Sequence, residues 1–343
     1  MKQPRQHNDH LPNLAAEYHR LGLQALARYG LEDYQLTFLR HNENLTYKAE
    51  DPVEGKAYAL RLHEPRHAGF GRHGRDWKMV RSELRWMEAV QRDTGLTIPR
   101  PLRNLDGQLV TRLELGEDKP AVNCSMLTWL AGEPPGEEGL SAGQAEQLGS
   151  ILARLHNHTR HWQPPADFLR PKRDSAYFQG MYQRLWRGVD EGLVAREDYR
   201  ILGEVIERVI TMVEAAPEDG NAHGLIHADV INGNLLLHKG ELRLLDFSFS
   251  CFAPYTFDLA VCLGDQKREV HQSILKGYTQ HSPLPEKYQE EIEGFMLGSL
   301  VGSLVFMLPR KQTHGWIRTR LPEIVQERAR KYIQGKAYWF PVD

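Results

Sequence analysis

The sequence predicts an α+β chain in two lobes, an antiparallel-sheet N-lobe over residues 1–130 and a mainly helical C-lobe over residues 131–343. Three observations carry that expectation. Apolar spacing changes from helical to alternating near Tyr34, so a leading helix gives way to strands. The strands before residue 130 are separated by turn residues, which pairs neighbours as hairpins. Past Gly132 helical spacing dominates, broken by one hairpin that ends near Phe247.

In order, Leu14 to Tyr29 repeats Leu14, Tyr18, Leu21, Leu26 and Tyr29 at helical intervals and stops at Gly30, so it predicts a helix. Tyr34 to Leu39, Leu45 to Ala49 and Ala57 to His63 predict three strands, the last two joined by a turn at Asp51-Pro52-Val53-Glu54-Gly55. Arg75 to Arg92 returns to helical spacing through Trp77, Val80, Leu84 and Met87. Pro99 to Val110 follows with a turn at Asn104-Leu105-Asp106-Gly107, and then the apolar strand Ala121 to Leu130. Phe295 to Leu308 is an apolar run interrupted by Gly298 and Gly302, too short for the roughly 20 residues a membrane span needs. It predicts a buried helix whose Gly294, Gly298 and Gly302 let another helix approach.

Composition excludes several classes. With 343 residues, 41% hydrophobic and 26% charged, the chain has the balance of a water-soluble globular protein of about two domains. A net charge of -2 leaves no basic footprint for nucleic acid. Cys124, Cys251 and Cys262 form no Cys-x-x-Cys pair, which fits small core residues in a reducing cytoplasm and argues against disulfides or zinc. The first ten residues lack the apolar core of a signal peptide. No membrane partner is expected, and the oligomeric state is not legible.

Residues 227–247 carry the chemistry. Asp229, Asn234 and Asp246 put two carboxylates and an amide at the spacing that phosphoryl transfer on a metal-bound nucleotide requires: an Asp to take the hydroxyl proton, an Asn five positions later for magnesium, and a second metal-binding Asp on a returning strand. Asn234 to His238 predicts one strand, Lys239-Gly240 a turn, and Glu241 to Phe247 the second strand, which returns Asp246 beside Asn234. Magnesium takes hard oxygen ligands and keeps waters and phosphate oxygens, so one carboxylate and one amide suffice. The plainer reading makes these residues turn formers, but all three sit among apolar strand residues, where unpaired charge is costly.

This stretch resembles the aminoglycoside phosphotransferase and choline kinase-like family, small-molecule kinases of the protein kinase-like fold. The family pattern is a His-Gly-Asp loop, an Asn five residues after the Asp, an Ile-Asp-Phe or Ile-Asp-Trp, and an Asp-Leu-Ala, supplied here by Asp258-Leu259-Ala260. The resemblance implies a two-lobed kinase-like fold, MgATP or MgGTP as donor, and a small hydroxyl compound as acceptor. It also implies that His227 anchors the loop and that Asp258 braces it from beneath. Ala228 stands where the family usually has Gly, Ile231-Asn232 where it often has His-Pro, and Ser248-Phe249 where another acid is common.

The remaining assignments follow from the strand order. A kinase places a Lys on its third strand and a Glu on the next helix; here Arg61 and Glu83 occupy those places, and Arg can fork onto phosphate or carboxylate. The alternative is a weak surface ion pair. Asn44 matches a position where the resembled family commonly has Asn, although the His41-to-Leu45 turn has no glycine to ease a phosphate wrap. Ser125 to Trp129 leads into the lobe connection, where backbone near Thr128 can read an adenine edge; Trp129 reads as core. Gly69-Phe70-Gly71-Arg72-His73-Gly74 matches a dinucleotide fingerprint but does not come directly off a strand in a parallel unit, so a basic loop is the better reading. His156 reads as structural. The acceptor is expected among residues 176–196 and 288–332, with Glu290, Glu291 and Glu293 as candidate ligands of a cationic amine or else a solvated helix face. Amino alcohol, amino sugar, homoserine-like amino acid and protein hydroxyl all stay open, as does a catalytically silent nucleotide-binding regulator.

Overall fold

Alternating burial along the second strand, inside on Leu45, Tyr47 and Ala49, shows how the first half of the chain folds. A computed structural model describes residues 11–41, 44–63, 76–114, 121–216 and 220–340. It is α+β, and the chain divides into two compact units. One reaches Ala131 and includes Ala166–Leu169; the other takes Gly132–Pro165 and continues from Arg170. The Gly69-to-Gly74 segment lies outside the described residues.

The first unit opens with helix α1 (Leu11–Arg28), followed by β1 (Gln35–His41), β2 (Leu45–Glu50) and β3 (Ala57–His63). Helix α2 (Trp77–Thr94) comes next, then β4 (Pro101–Leu102), β5 (Thr111–Leu113) and β6 (Val122–Thr128). The sheet is antiparallel with order β1-β2-β3-β6-β4, and β5 pairs with β6. Tyr18, Leu21, Ala25 and Leu26 of α1 pack on Leu60, Leu62, Cys124 and Met126 of the sheet. Between Pro99 and Val110 only two residues are strand, because Asn104 turns the chain: its side chain accepts from the backbone N–H of Gln108 (2.8 Å) and donates to Thr111. Asp76 caps α2 by accepting from the Lys78 N–H, and Gly95 ends it at φ +63°.

The second unit holds α3 (Ala142–His161), α4 (Ser175–Asp190), α5 (Arg196–Ala215), β7 (His223–Ile226), β8 (Leu235–His238), β9 (Glu241–Leu244) and β10 (Cys251–Pro254). Helices α6 (Tyr255–Asp265), α7 (His271–Thr279), α8 (Tyr288–Met307), α9 (His314–Ile324) and α10 (Arg330–Ile333) complete it. Helix α3 begins with a Ser141/Gln144 capping box and crosses α7 at van der Waals distance. A Cβ on Gly149 would sit 1.9 Å from the Ile274 carbonyl oxygen, and one on Gly277 1.9 Å from that of Glu146, so each helix needs the other's glycine. One face of the apolar run in α8 is buried, with Phe295, Leu297, Val301 and Leu304 inside, and Gly298 meets Phe178 of α4. Cys124, Cys251 and Cys262 are buried thiols without a disulfide. No helix among the described residues is long and apolar enough to cross a membrane.

Several expectations change. The strand predicted over Glu241 to Phe247 stops at Leu244, because Asp246 turns left-handed at φ +53° and a single helical turn, Phe247–Phe249, follows. Asn234 closes a one-turn helix, Asn232–Asn234, rather than opening β8. Trp129 is not core: it is 40% exposed, with the Lys48 ammonium 5.4 Å from its ring centroid.

Candidate active site

The loop between β7 and β8 is held from beneath by one carboxylate. Asp258, on α6, is fully buried and accepts from the backbone N–H of His227 (2.9 Å) and of Ala228 (2.6 Å). Its third partner is His156 Nε2 (3.1 Å), whose Nδ1 meets the Tyr278 hydroxyl of α7 (2.9 Å). Since a neutral imidazole donates from one nitrogen and accepts at the other, His156 donates to Asp258 and accepts from Tyr278. Burial holds the His156 pKa below its ordinary value, against the pull of Asp258. Burial also works against ionisation of Asp258, but the hydrogen bonds from His156 and the His227 amide outweigh it, and the carboxyl is held below the usual range.

Those contacts hold Ala228 at φ +63°, a left-handed conformation natural to glycine. The turn leads into Asp229, which is half-buried. His227 reaches over the loop from inside: its Nε2–H donates to the Leu245 carbonyl (2.8 Å), leaving Nδ1 to accept from the Asp229 N–H (3.2 Å). Asn234 then fixes the carboxylate, donating from Nδ2 to Asp229 Oδ2 (2.7 Å) and to the Asp229 carbonyl (2.9 Å). The Leu245 N–H donates to the Asn234 carbonyl (2.8 Å), so the β8–β9 hairpin delivers Asp246 beside Asn234. Lys239 (φ +51°) and Gly240 (φ +82°) make the tight turn this return requires.

Burial raises the Asp229 pKa, and the charge of Asp246 adds to that, while His227, the Asn234 amide and Arg173 pull the other way. The Asp246 carboxylate accepts from the Ser248 N–H (3.3 Å) and hydroxyl. With both Asn234 Nδ2 protons directed at Asp229, its Oδ1 has no hydrogen-bond partner among the described residues. That oxygen and the Asp246 carboxylate are hard donors suited to magnesium. No cluster of three His, Cys, Asp or Glu arranged for a metal occurs among the described residues, so a cation here would complete its shell with phosphate and water oxygens.

The other predicted residues lie in the first unit. Arg61 on β3 and Glu83 on α2 form an ion pair of 2.8 Å with side chains 6% and 2% exposed, so the pair is interior and not the weak surface contact weighed above. Asn44 Oδ1 meets His63 Nδ1 (3.0 Å), and His63 Nε2 meets Ser125 Oγ (2.9 Å), tying the start of β2 across β3 to β6. Residues 42 and 43 of that turn lie outside the described residues. Thr128 uses its hydroxyl to accept from the Arg100 N–H (2.8 Å), and its own N–H donates to the Arg100 carbonyl (2.8 Å).

The acidic run on α8 divides between two settings. Glu293 is buried and accepts from the backbone N–H groups of Tyr338, Trp339 and Phe340, with Glu293 Oε1 reaching Trp339 at 2.8 Å. Glu291 accepts from the Thr256 hydroxyl (2.8 Å). Glu290 and Glu291 line a cavity of about 540 Å³ with Ala222 and Pro254. Those two residues sit at the end of the β7–β10 ladder opposite the 227–234 loop, since Pro254 pairs with His223 whereas Cys251 pairs with Ile226. The same ladder reveals residues the sequence did not single out. Arg170 donates to the carbonyls of Ser250 (2.7 Å) and Ser248 (2.6 Å), clamping the turn after Asp246, and Arg173 stands beside Cys251. Nothing local marks them, because their partners are about 80 positions away.

Residues 35–290 match the model of the phosphotransferase enzyme family. A homoserine kinase of Parvibaculum lavamentivorans is 27% identical over 227 residues, covering 64% of this chain and 64% of that protein. One of Beijerinckia indica subsp. indica is 33% identical over 180 residues, covering 52% and 50%. The match therefore spans less than two thirds of these relatives. Among solved structures, the microcompartment-associated aminopropanol kinase superposes with a TM-score of 0.76 at 23% identity, covering 92% of this chain and 98% of that one. An amicoumacin kinase in complex with AMP-PNP, Ca2+ and Ami superposes at 0.72 with 17% identity, covering 97% and 98%. At these identities the likeness is one of fold.

Proposed function

This chain belongs to the phosphotransferase enzyme family, and we propose that it transfers the terminal phosphoryl group of ATP or GTP to the hydroxyl of a small molecule, foremost a homoserine-like amino acid. The observation that carries the reading is the pairing of Asp229 with Asn234, which fixes a carboxylate for proton removal and leaves an amide oxygen for a cation. The relatives named as homoserine kinases support the choice of acceptor.

In the proposed reaction the hydroxyl oxygen bonds to the terminal phosphorus as its proton passes to Asp229. The bond from phosphorus to the bridging oxygen breaks, and its electron pair leaves on the nucleoside diphosphate. Burial, by raising the Asp229 pKa, makes it a better base once ionised. Asn234 and Asp246 would hold magnesium, which when bound supplies charge neutralisation on the phosphate oxygens. His227 and Asp258 keep the loop in register, and Arg61, oriented by Glu83, serves as a cation for the nucleotide. Asn44 and the Thr128 backbone are assigned to nucleotide contact as part of the same proposal.

ADP release with magnesium, ATP or GTP, and L-homoserine tests this. Asp229→Asn is expected to lower kcat by about 10²- to 10⁴-fold while calorimetry still detects nucleotide; Asp246→Asn loses the magnesium-dependent part of nucleotide binding. Wild-type turnover by Asp229→Asn would remove the base assignment.

A further inference from the structure

We propose that Arg173 recognises a carboxylate on the acceptor, so that the substrate class is a hydroxy acid and not a plain amino alcohol. The inference rests on the phosphotransferase reading above and narrows it.

Arg173 sits at the loop end of the β7–β10 ladder. Its backbone N–H donates to the Phe252 carbonyl (2.8 Å), and the 171–173 segment lies alongside β10. Its Nε donates to Cys251 Sγ (3.3 Å), and Cys251 pairs in register with Ile226, the last residue before the catalytic loop. The guanidinium lies 4.8 Å from the ring centroids of both Tyr177 and Phe257, and Phe257 directly precedes Asp258. Nη1 donates to the Tyr177 hydroxyl. Two rings, a thiol and a phenol therefore fix the plane of the group.

None of those partners neutralises it. No carboxylate lies within ion-pair distance of Arg173 among the described residues, unlike Arg61, which has Glu83. Nη2 has no hydrogen-bond partner among the described residues and is not among the atoms sealed in the interior, so it reaches solvent. Burial works against this half-buried cation, and a carboxylate charge that helps to offset it, that of Asp229, lies beyond ion-pair distance. Its charge acts on Asp229, the residue assigned to the acceptor hydroxyl. Arg170, by contrast, has its donors occupied by two backbone carbonyls. A planar guanidinium with an open edge suits the two oxygens of a carboxylate. Because Asn234 and Asp246 are assigned to the phosphate side of Asp229, the open edge belongs with the acceptor.

The test compares L-homoserine with 3-aminopropanol, the same chain without its carboxylate, as acceptors for the wild type, Arg173→Met and Arg173→Lys. The wild type is expected to prefer L-homoserine, and Arg173→Met to reduce that preference by about 10- to 100-fold, chiefly through KM. Arg173→Lys should recover part of it. An equal loss of kcat on both acceptors would assign Arg173 to the transferred phosphoryl group and overturn the inference, as would a wild type indifferent to the carboxylate. Turnover of neither acceptor also overturns it; ADP release with amino sugars or other alcohols would then show the phosphotransferase reading still standing. Thermal unfolding of each variant separates a folding defect from a recognition defect.

Discussion

Asp258→Asn is the sharpest perturbation of the loop, because one side chain there satisfies three buried donors. An asparagine of the same shape retains one oxygen. If that oxygen stays on the Ala228 N–H, the new NH2 faces the His227 N–H and His156. His156 can adapt by moving its proton to Nδ1, donating to Tyr278 and accepting from the amide. The His227 N–H cannot adapt and is orphaned, at about 1–3 kcal/mol, and loss of charge on the remaining acceptor adds about 1 kcal/mol. The total, about 2–4 kcal/mol, is a large part of a typical domain's 5–15 kcal/mol. The same change weakens the grip on Ala228, whose left-handed backbone costs about 1–2 kcal/mol, so the loop should relax and displace Asp229. A displacement near 1 Å can cost about 10²-fold in rate. Urea unfolding measures the first effect and ADP release the second. A variant within about 0.5 kcal/mol of wild type and with full kcat would show that Asp258 does not organise the loop.

The Arg61 and Glu83 side chains give a second test: Arg61→Met alone should cost about 3–5 kcal/mol by stranding a buried carboxylate, and adding Glu83→Leu should recover most of it. If the single variant unfolds at the wild-type urea midpoint, the pair is not interior in solution. Gly277→Ala should destabilise by about 1–3 kcal/mol or more, since its methyl meets the Glu146 carbonyl and α3 must shift, carrying His156 with it; calorimetric melting reads this, and an unchanged melt contradicts the close crossing. Acid should also weaken the fold early. His156 and His271 are both held below their ordinary pKa by burial, so the unfolded chain binds protons first and stability, complete above about pH 6.5, falls as pH drops through the folded values. A urea midpoint that stays flat from about pH 7.5 to 5.5 would contradict it.

How much of this was legible depends on where each residue's partners lie. Strand β3 was readable to the residue, because its alternation and the preceding turn are local signals. The meeting of Asp229, Asn234 and Asp246 was readable because all three lie within twenty positions on one loop and its returning hairpin. The end of β9 was missed since a left-handed Asp leaves no mark in composition. Trp129 was misread because burial of an aromatic at a strand end depends on what packs there, and here it is a lysine. Ala228 shows the reverse: its departure from glycine was visible, while its meaning, a strained backbone held by Asp258, needed the geometry. Glu293 looked like one acid in a run because the amides it serves come 45 to 47 residues later.

That last contact also sets a schedule. Chains emerge during synthesis at roughly 5–20 residues per second, so the carboxylate of Glu293 waits about 2–9 s for the three amides it will accept. Through that interval α8 carries a charge bound for the interior with nothing to receive it there. The second unit therefore cannot close around Glu293 until Phe340 has been made, although the residues assigned to catalysis were completed long before.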